Sequence, residues 1–189
     1  MSKVILASAS PRRQVILKSI LRNFSVIPAD VEEVNRESAY VTVKENALLK
    51  ANSVAQKHTE SWIIGSDTVV ALDDEIIGKP TDLNNAKETL QQLSNQWHEV
   101  YTAVALVNHN LGVCENWVET SKVHMKDLSD QLIEQYFELC CPLDKAGSYN
   151  IEEHGTLIID KYDGEFENIM GLPQKSLLNY FKQHNILTP

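Results

Sequence analysis

The sequence is poor in the residues that mark several classes of protein. Only 7 of its 189 residues are Gly and 6 are Pro, which excludes fibrous and low-complexity chains. Its three cysteines cannot all pair within one chain, and Cys140 and Cys141 are adjacent, so we predict a reducing, cytoplasmic location. No apolar run approaches the roughly 20 residues that span a bilayer, and we expect no membrane partner.

Basic residues are also scarce. The chain has 17 Lys and Arg against 26 Asp and Glu, which gives a formal net charge of −9. Nucleic-acid binding usually depends on a basic excess, so nucleic acid is not an expected partner either. A place where cations gather in such an acidic chain therefore needs an explanation, and an anionic ligand is the simplest one.

What is present is enough apolar sequence to form a core. Apolar residues make up 43% of the chain, and we expect a single domain over 1–189. The patterns predict strands at 4–7, 24–28, 62–72, 75–77, 98–107, 113–125, 156–159 and 166–170, and helices at 11–21, 40–57, 83–93, after Ser129 and around 177–181. Because β-α units are mixed with hairpins, the prediction is an α/β fold with a mixed central sheet flanked by helices.

The segment from Ser8 to Arg13 joins a predicted strand to a predicted helix. Ser10 is a good N-cap and Pro11 suits the first helical position. Free N–H groups at a helix start carry partial positive charge, to which the guanidiniums of Arg12 and Arg13 add theirs. The turn therefore predicts a site for an anion such as phosphate. The alternative is a capped helix with two solvated arginines.

Asp67 interrupts a strand that is otherwise mostly apolar. An ionised carboxylate in such a strand costs several kcal/mol unless it is paired or bound to a metal, so its presence predicts a partner. Glu33, near the end of the second strand, could bring a second carboxylate to the same cleft and complete an oxygen site for Mg²⁺ or Mn²⁺. The alternative makes Asp67 a turn cap and Glu33 a solvated residue.

Three lysines lie at points where the chain turns or ends a helix. Lys50 is late in a predicted helix, Lys79 lies between Gly78 and Pro80, and Lys145 follows Asp144. A lysine on a tight loop can direct its charge at a phosphate oxygen. Each lysine alone is explained equally well as a solvated surface residue. The three therefore indicate a phosphate site only if they lie close to the arginines and Asp67.

Several familiar motifs are missing. The chain has neither the G-x-x-x-x-G-K-[ST] loop nor the G-x-G-x-x-G turn, which argues against a P-loop nucleotidase and a dinucleotide enzyme. Its six histidines and three cysteines show no zinc spacing, and no nucleophile elbow suggests acyl transfer.

Taken in order, the remaining segments resemble the Maf family of nucleoside triphosphate pyrophosphatases. The resemblance spans nearly the whole chain and includes Leu6-Ala7-Ser8-Ala9-Ser10-Pro11-Arg12-Arg13, Val31-Glu32-Glu33, Lys50-Ala51, Gly65-Ser66-Asp67-Thr68-Val69-Val70, Gly78-Lys79-Pro80, Tyr101-Thr102-Ala103-Val104, Asp144-Lys145-Ala146-Gly147-Ser148-Tyr149 and Gly171-Leu172-Pro173. It implies an elongated α/β fold with a substrate cleft, similar to the Maf and inosine triphosphatase folds, and a homodimer.

The resemblance also implies a reaction and its residues. A nucleoside triphosphate would be hydrolysed to the monophosphate and pyrophosphate with a divalent cation, Mg²⁺ or Mn²⁺. Asp67 would be the catalytic base and, with Glu33, a metal-site carboxylate. The implied groups on the phosphate side are Ser8, Arg12, Arg13, Lys50, Lys79 and Lys145.

The base preference is less clearly implied. Arg12 and Thr68 match the branch of the family that prefers dTTP and UTP, whereas Asn150 and Glu152 stand where that branch has Gly and Gln. Glutamine both donates and accepts hydrogen bonds, but an ionised glutamate only accepts. Glu152 as a base-contacting residue would therefore weaken a strict preference for thymine and uracil; the alternative is a loop glutamate that points to solvent.

Two rival functions stay open at this point. A nucleotide-binding regulator, for instance of cell division, would hydrolyse its ligand only incidentally. A metal-dependent phosphomonoesterase with the same ligands would release orthophosphate. The presence of both Asp67 and Glu33 favours an enzyme, because a pure anion sensor gains nothing from a buried negative charge beside a triphosphate.

Overall fold

The computed structural model describes residues 3–186 and centres on a mixed sheet of seven strands. The strands are β1 (Val4–Leu6), β2 (Ser25–Val26), β3 (Trp62–Leu72), β4 (Glu75–Ile77), β5 (Trp97–Asn108), β6 (Val113–Met125) and β7 (Ile159–Asp163). The helices are α1 (Pro11–Ile20), α2 (Ala39–Ala55), α3 (Leu83–Leu93), α4 (Asp130–Leu139), α5 (Gly155–Ile158), α6 (Phe166–Met170) and α7 (Gln174–Gln183), with a 3₁₀ turn at Ala146–Ser148.

The order of the strands confirms the predicted α/β fold with a mixed sheet. They lie in the order β2-β1-β3-β5-β6-β7, and β4 pairs with β3 outside this path. β1 is parallel to both β2 and β3, whereas the remaining pairs are antiparallel. The long β5–β6 hairpin follows the predicted boundaries closely.

Side chains of the central strands point alternately to the two faces of the sheet, and a hydrophobic core lies on each face. Ile5 and Ile63 pack with α2 on one face, and Leu6 and Ile64 pack with α1 and α7 on the other. Because side chains alternate, Asp67 lies on the face of β3 that meets α2.

Two predicted strands are wrong. The segment 156–159 is mostly the short helix α5, and 166–170 is the helix α6, while β7 lies between them and pairs with β6. Short apolar runs fit a buried helix turn as well as a strand, so the pattern could not separate the two. Gly171 ends α6 in the left-handed conformation, with φ 110°, which is typical of a helix C-terminus.

Gly65 is the point of closest approach between β3 and α2. A Cβ atom added there would clash with the backbone oxygen of Ala47 and the backbone nitrogen of Ala51. Glycine at this position therefore lets the helix lie directly on the strand, two residues before Asp67.

No helix within residues 3–186 is long and apolar enough to cross a membrane. The cysteines Cys114, Cys140 and Cys141 are free thiols.

The contact at Gly65 predicts a stability effect. Gly65→Ala should lower the free energy of unfolding by about 1–3 kcal/mol, because the methyl group forces α2 away from β3. The matched control is Gly78→Ala, since a Cβ atom at Gly78 would meet nothing within 4 Å. Urea denaturation followed by circular dichroism measures both. Equal unfolding midpoints for Gly65→Ala and wild type would contradict the close approach.

A buried histidine predicts a pH dependence of stability. His98 is 2% exposed and its Nε2 lies 2.8 Å from the Tyr149 hydroxyl. Burial lowers the pKa of His98 to about 4. In the unfolded chain a histidine has a pKa of about 6.5, so between these values the unfolded state binds more protons and stability falls as the pH falls.

The expected loss from pH 6.5 to pH 4 is about 3 kcal/mol for this one group. His98→Gln should flatten the pH profile of the unfolding free energy over that window. Parallel profiles for wild type and His98→Gln would show that His98 does not titrate as its burial requires.

Candidate active site

A cleft of about 590 Å³ lies where the β1–α1 turn, α2 and β3 meet. Its size suits a small organic ligand. Nine of the ten site residues predicted from the sequence line it: Ser8, Arg12, Arg13, Glu33, Lys50, Asp67, Thr68, Lys79 and Lys145. Glu152 is the exception.

Cations concentrate in this cleft. Among its lining residues are five Lys or Arg and four Asp or Glu, in a chain with a net charge of −9. The local balance is thus reversed relative to the whole chain, which favours an anionic ligand that also needs nearby carboxylates.

Arg13 organises the turn between β1 and α1. Its Nε donates to the Gly171 carbonyl oxygen at 2.8 Å, its Nη1 to Ser8 Oγ at 3.2 Å and its Nη2 to Thr68 Oγ1 at 3.0 Å. Burial lowers the pKa of Arg13, and the negative charge of Asp67 opposes that change. The guanidinium is therefore fixed by neutral acceptors on three segments, and its charge is left for the cleft.

The cap of α1 differs in detail from the expectation. Ser10 occupies the N-cap position, but its side chain makes no capping hydrogen bond. Instead the Ser10 backbone N–H donates to Ser8 Oγ at 3.3 Å. Ser8 thus accepts from both the turn and Arg13, because its strand-end position directs the hydroxyl between them.

The two predicted carboxylates meet at one lysine. Lys50 Nζ lies 2.7 Å from Asp67 Oδ1 and 2.7 Å from Glu33 Oε1. Asp67 thus has a cationic partner, and Glu33 reaches the same cleft. Burial alone would raise the pKa of Glu33, but the hydrogen bond and charge of Lys50, with smaller effects of Lys79 and Arg13, lower it.

Lys50 lies between the carboxylates, which the sequence did not indicate. Its charge is shared by two acids, so it is less available to a phosphate than the resemblance implied. Lys50 comes from α2, Asp67 from β3 and Glu33 from the segment before α2. The close contact at Gly65 brings the first two together.

The carboxylate oxygens of Glu33 and Asp67 are ligands that suit a divalent cation. Glu33 and Asp67 direct one oxygen each at a common cationic atom. Residues 3–186 contain no cluster of three His, Cys, Asp or Glu that could hold a metal ion. Mg²⁺ is usually held by one or two carboxylates, with water and substrate phosphates completing its shell. The two acids therefore suit a cation that arrives with a phosphate ligand.

The other lysines come from two loops that are joined to each other. The Gly147 N–H donates to the Gly78 carbonyl oxygen at 3.2 Å, which fixes the loop of Lys145 against the loop of Lys79. Lys145 Nζ donates to Asp144 Oδ1 at 2.7 Å and to the Cys141 carbonyl oxygen at 3.0 Å. Its ammonium is held in place before any ligand binds.

Part of the cleft lining is apolar and includes the 150–153 segment. The apolar residues here are Val70, Val100, Ala146, Tyr149, Ile151, Ile169 and Met170. Both Glu152 and Glu153 are exposed, but only Glu153 lines the cleft, and its Oε2 accepts from Cys140 Sγ at 3.7 Å. The Glu152 backbone N–H donates to Asn150 Oδ1 at 3.1 Å, which forms a local turn.

Three residues at the site were given no role there from the sequence, although Gly171 belongs to one of the segments that carry the resemblance. They are Asn46, which donates to Asp67; Gly171, whose carbonyl oxygen accepts from Arg13; and Glu153. A signal existed for Asn46, since it precedes Lys50 by one helical turn on the face that carries Ala47 and Ala51. No signal separated Glu153 from Glu152.

Comparison with known proteins identifies a matching family model and similar proteins. A family model described as Maf-like protein matches residues 3–184. The chain is 43% identical over 185 residues to the dTTP/UTP pyrophosphatase of Dictyoglomus turgidum, covering 95% of this chain and 96% of that protein. It is 40% identical over 185 residues to the dTTP/UTP pyrophosphatase of Bacillus cytotoxicus, covering 97% and 96%. A solved structure of a HAM1 protein from Coxiella burnetii matches with a TM-score of 0.46 and 19% identity, over 66% of this chain and 73% of that one.

Proposed function

The chain belongs to the Maf family and is a nucleoside triphosphate pyrophosphatase, and we propose that it acts on dTTP and UTP in the cleft described above. The products are the nucleoside monophosphate and pyrophosphate. The substrates are proposed from relatives that carry the name dTTP/UTP pyrophosphatase and match nearly the full length of this chain.

One observation carries the proposed site. Glu33 and Asp67 converge on Lys50 within a cleft that also collects Arg12, Arg13, Lys79 and Lys145. Two acids beside four further cations fit a ligand that brings several negative charges and a metal ion. A simple anion would be repelled by the acids, and a simple cation by the lysines and arginines.

Binding of the triphosphate falls to the cations of the cleft. Arg12 and Arg13 follow β1, and Lys79 and Lys145 lie on the two joined loops, so charges approach the phosphates from separate segments. Arg13 and Lys145 are fixed by hydrogen bonds before the reaction begins, and all four groups can stabilise the charge that develops on the leaving pyrophosphate.

Asp67 is the proposed general base. Its Oδ1 accepts from Lys50 and its Oδ2 from Asn46, so the carboxylate is fixed while each oxygen keeps a further lone pair. In the proposed step Asp67 takes a proton from water as the water oxygen bonds to the α-phosphorus. The bond from the α-phosphorus to the bridging oxygen breaks, and pyrophosphate leaves with that electron pair.

We propose that Glu33 and Asp67 hold Mg²⁺ or Mn²⁺ when the substrate binds. The cation would neutralise phosphate charge and help lower the pKa of the attacking water. Lys50 would then keep contact with both acids from the α2 side and fix their spacing. A homodimer in the cytoplasm, and a single domain over 1–189, stay predictions from the sequence.

The reaction and its base are tested together. With Mg²⁺ and a panel of triphosphates, the wild-type protein should release monophosphate and pyrophosphate. Asp67→Asn should lower kcat by about 10²–10⁴-fold, because the amide cannot accept the proton. Separation of products by ion-exchange chromatography, with circular dichroism for folding, measures both.

The control for this variant is Asp73→Asn in the β3–β4 turn. Asp73 has φ 49°, which asparagine tolerates well, and it lies outside the cleft. Release of diphosphate and orthophosphate would contradict the proposed reaction and indicate cleavage at the γ-phosphate. Tight binding without turnover would indicate the regulator, and full activity of Asp67→Asn would exclude this base.

The cleft lining predicts which glutamate affects base preference. A carboxylate only accepts hydrogen bonds, so it repels the carbonyl oxygens beside the ring N–H of thymine and uracil. Glu153→Gln should therefore raise kcat/KM for dTTP and UTP, relative to CTP, by about tenfold, or about 1.4 kcal/mol. Glu152→Gln is the matched control and should leave the ranking unchanged. If Glu152→Gln changes the ranking and Glu153→Gln does not, Glu152 is the residue that contacts the base, as predicted from the sequence.

A further inference from the structure

A row of polar side chains runs along α2 beside the site. Thr42, Asn46 and Lys50 are spaced by four residues, which places them on one side of the helix. Thr42 is 3% exposed and Asn46 is 2% exposed, so both are buried between α2 and the segment that precedes it. Lys50, at the end of the row, joins Glu33 to Asp67.

Asn46 bonds to two different parts of the site at once. Its Oδ1 accepts from the Val34 backbone N–H at 2.8 Å, and its Nδ2 donates to the Val34 carbonyl oxygen at 3.0 Å. The same Nδ2 donates to Asp67 Oδ2 at 3.2 Å. Both amide hydrogens and the oxygen are therefore used, which leaves the side chain a single orientation.

These bonds fix the spacing of the two acids. Val34 follows Glu33 directly, so the bonds to its backbone anchor the chain that carries Glu33. The bond to Asp67 Oδ2 fixes the carboxylate on the side away from Oδ1, the oxygen that accepts from Lys50. Rotation of Asp67 would break one bond or the other.

We propose that Asn46 is a positioning residue that fixes the Asp67 carboxylate and the Glu33 segment in one arrangement for the divalent cation and the attacking water. This inference rests on the proposed function. An apolar residue of similar volume would fit the helix face, but it would leave the polar atoms of Val34 and one oxygen of Asp67 without a partner.

The test compares Asn46→Leu with wild type. Loss of a residue that orients metal ligands typically costs about 10- to 100-fold in metal affinity or activity. We expect a fall of that size in kcat, a KM for dTTP within about threefold of wild type because the phosphate-binding cations are untouched, and a matching fall in affinity for Mn²⁺, measured by calorimetry with a non-hydrolysable dTTP analogue bound.

Thr42→Val is the matched control for structural damage. Thr42 Oγ1 accepts from the Arg36 backbone N–H at 2.9 Å and donates to the Arg36 carbonyl oxygen at 3.4 Å, so it anchors the same segment. It contacts neither acid. This variant should lower the melting temperature while kcat and Mn²⁺ affinity stay within about threefold of wild type, because the hydrogen bonds that it loses are to the Arg36 backbone and not to Glu33 or Asp67. Equal losses of kcat in the two variants would overturn the proposal.

A measurement on the wild-type protein covers the case in which Asn46→Leu does not fold. The Nδ2 protons of Asn46 should exchange slowly with water and shift in the nuclear magnetic resonance spectrum when Mg²⁺ is added to the protein with a non-hydrolysable dTTP analogue bound. Unchanged resonances at saturating Mg²⁺ would overturn the proposal. The Mn²⁺ affinities and these spectra need no turnover, so failure of the wild-type protein to cleave triphosphates would reject the proposed function separately.

Discussion

The pairing of two carboxylates with one ammonium is the interaction on which the site depends. Lys50 Nζ lies 2.7 Å from oxygens of both Glu33 and Asp67. Without this cation, the acids would repel each other and Asp67, at 6% exposure, would lack compensation for its burial. The carboxylates of Glu33 and Asp67 therefore place two negative charges beside an anion-binding surface. That combination suits a substrate that arrives as a complex of triphosphate and metal ion.

The backbone makes this pairing possible through one close contact. Gly65 lets α2 lie against β3, so that the polar row of α2 reaches Asp67 two residues further along the same face. On the opposite face of β3, Thr68 accepts from Arg13, whose Nε is bound by the carbonyl oxygen of Gly171. The strand β3 thus fixes the proposed base, Asp67, on one face and holds Arg13, an anion-binding group, on the other through Thr68.

Much of this was readable from the sequence, for identifiable physical reasons. A carboxylate in a mostly apolar strand costs too much to be unpaired, so Asp67 was recognisable, and long β-favouring apolar segments such as 62–72 gave reliable boundaries. Short apolar runs near 156–170 were assigned wrongly as strands, because local patterns fit a helix turn and a strand equally. The partners of Lys50 and the choice between Glu152 and Glu153 depend on tertiary contacts and side-chain direction, which no spacing along the chain specifies.

The central claim is that the paired acids direct water to the α-phosphorus. Hydrolysis in ¹⁸O-labelled water, with the products resolved by ³¹P nuclear magnetic resonance, tests this most directly. The account predicts that the label enters the nucleoside monophosphate and that pyrophosphate is released unlabelled. Label in the pyrophosphate would place the attack at the β-phosphorus and contradict the account.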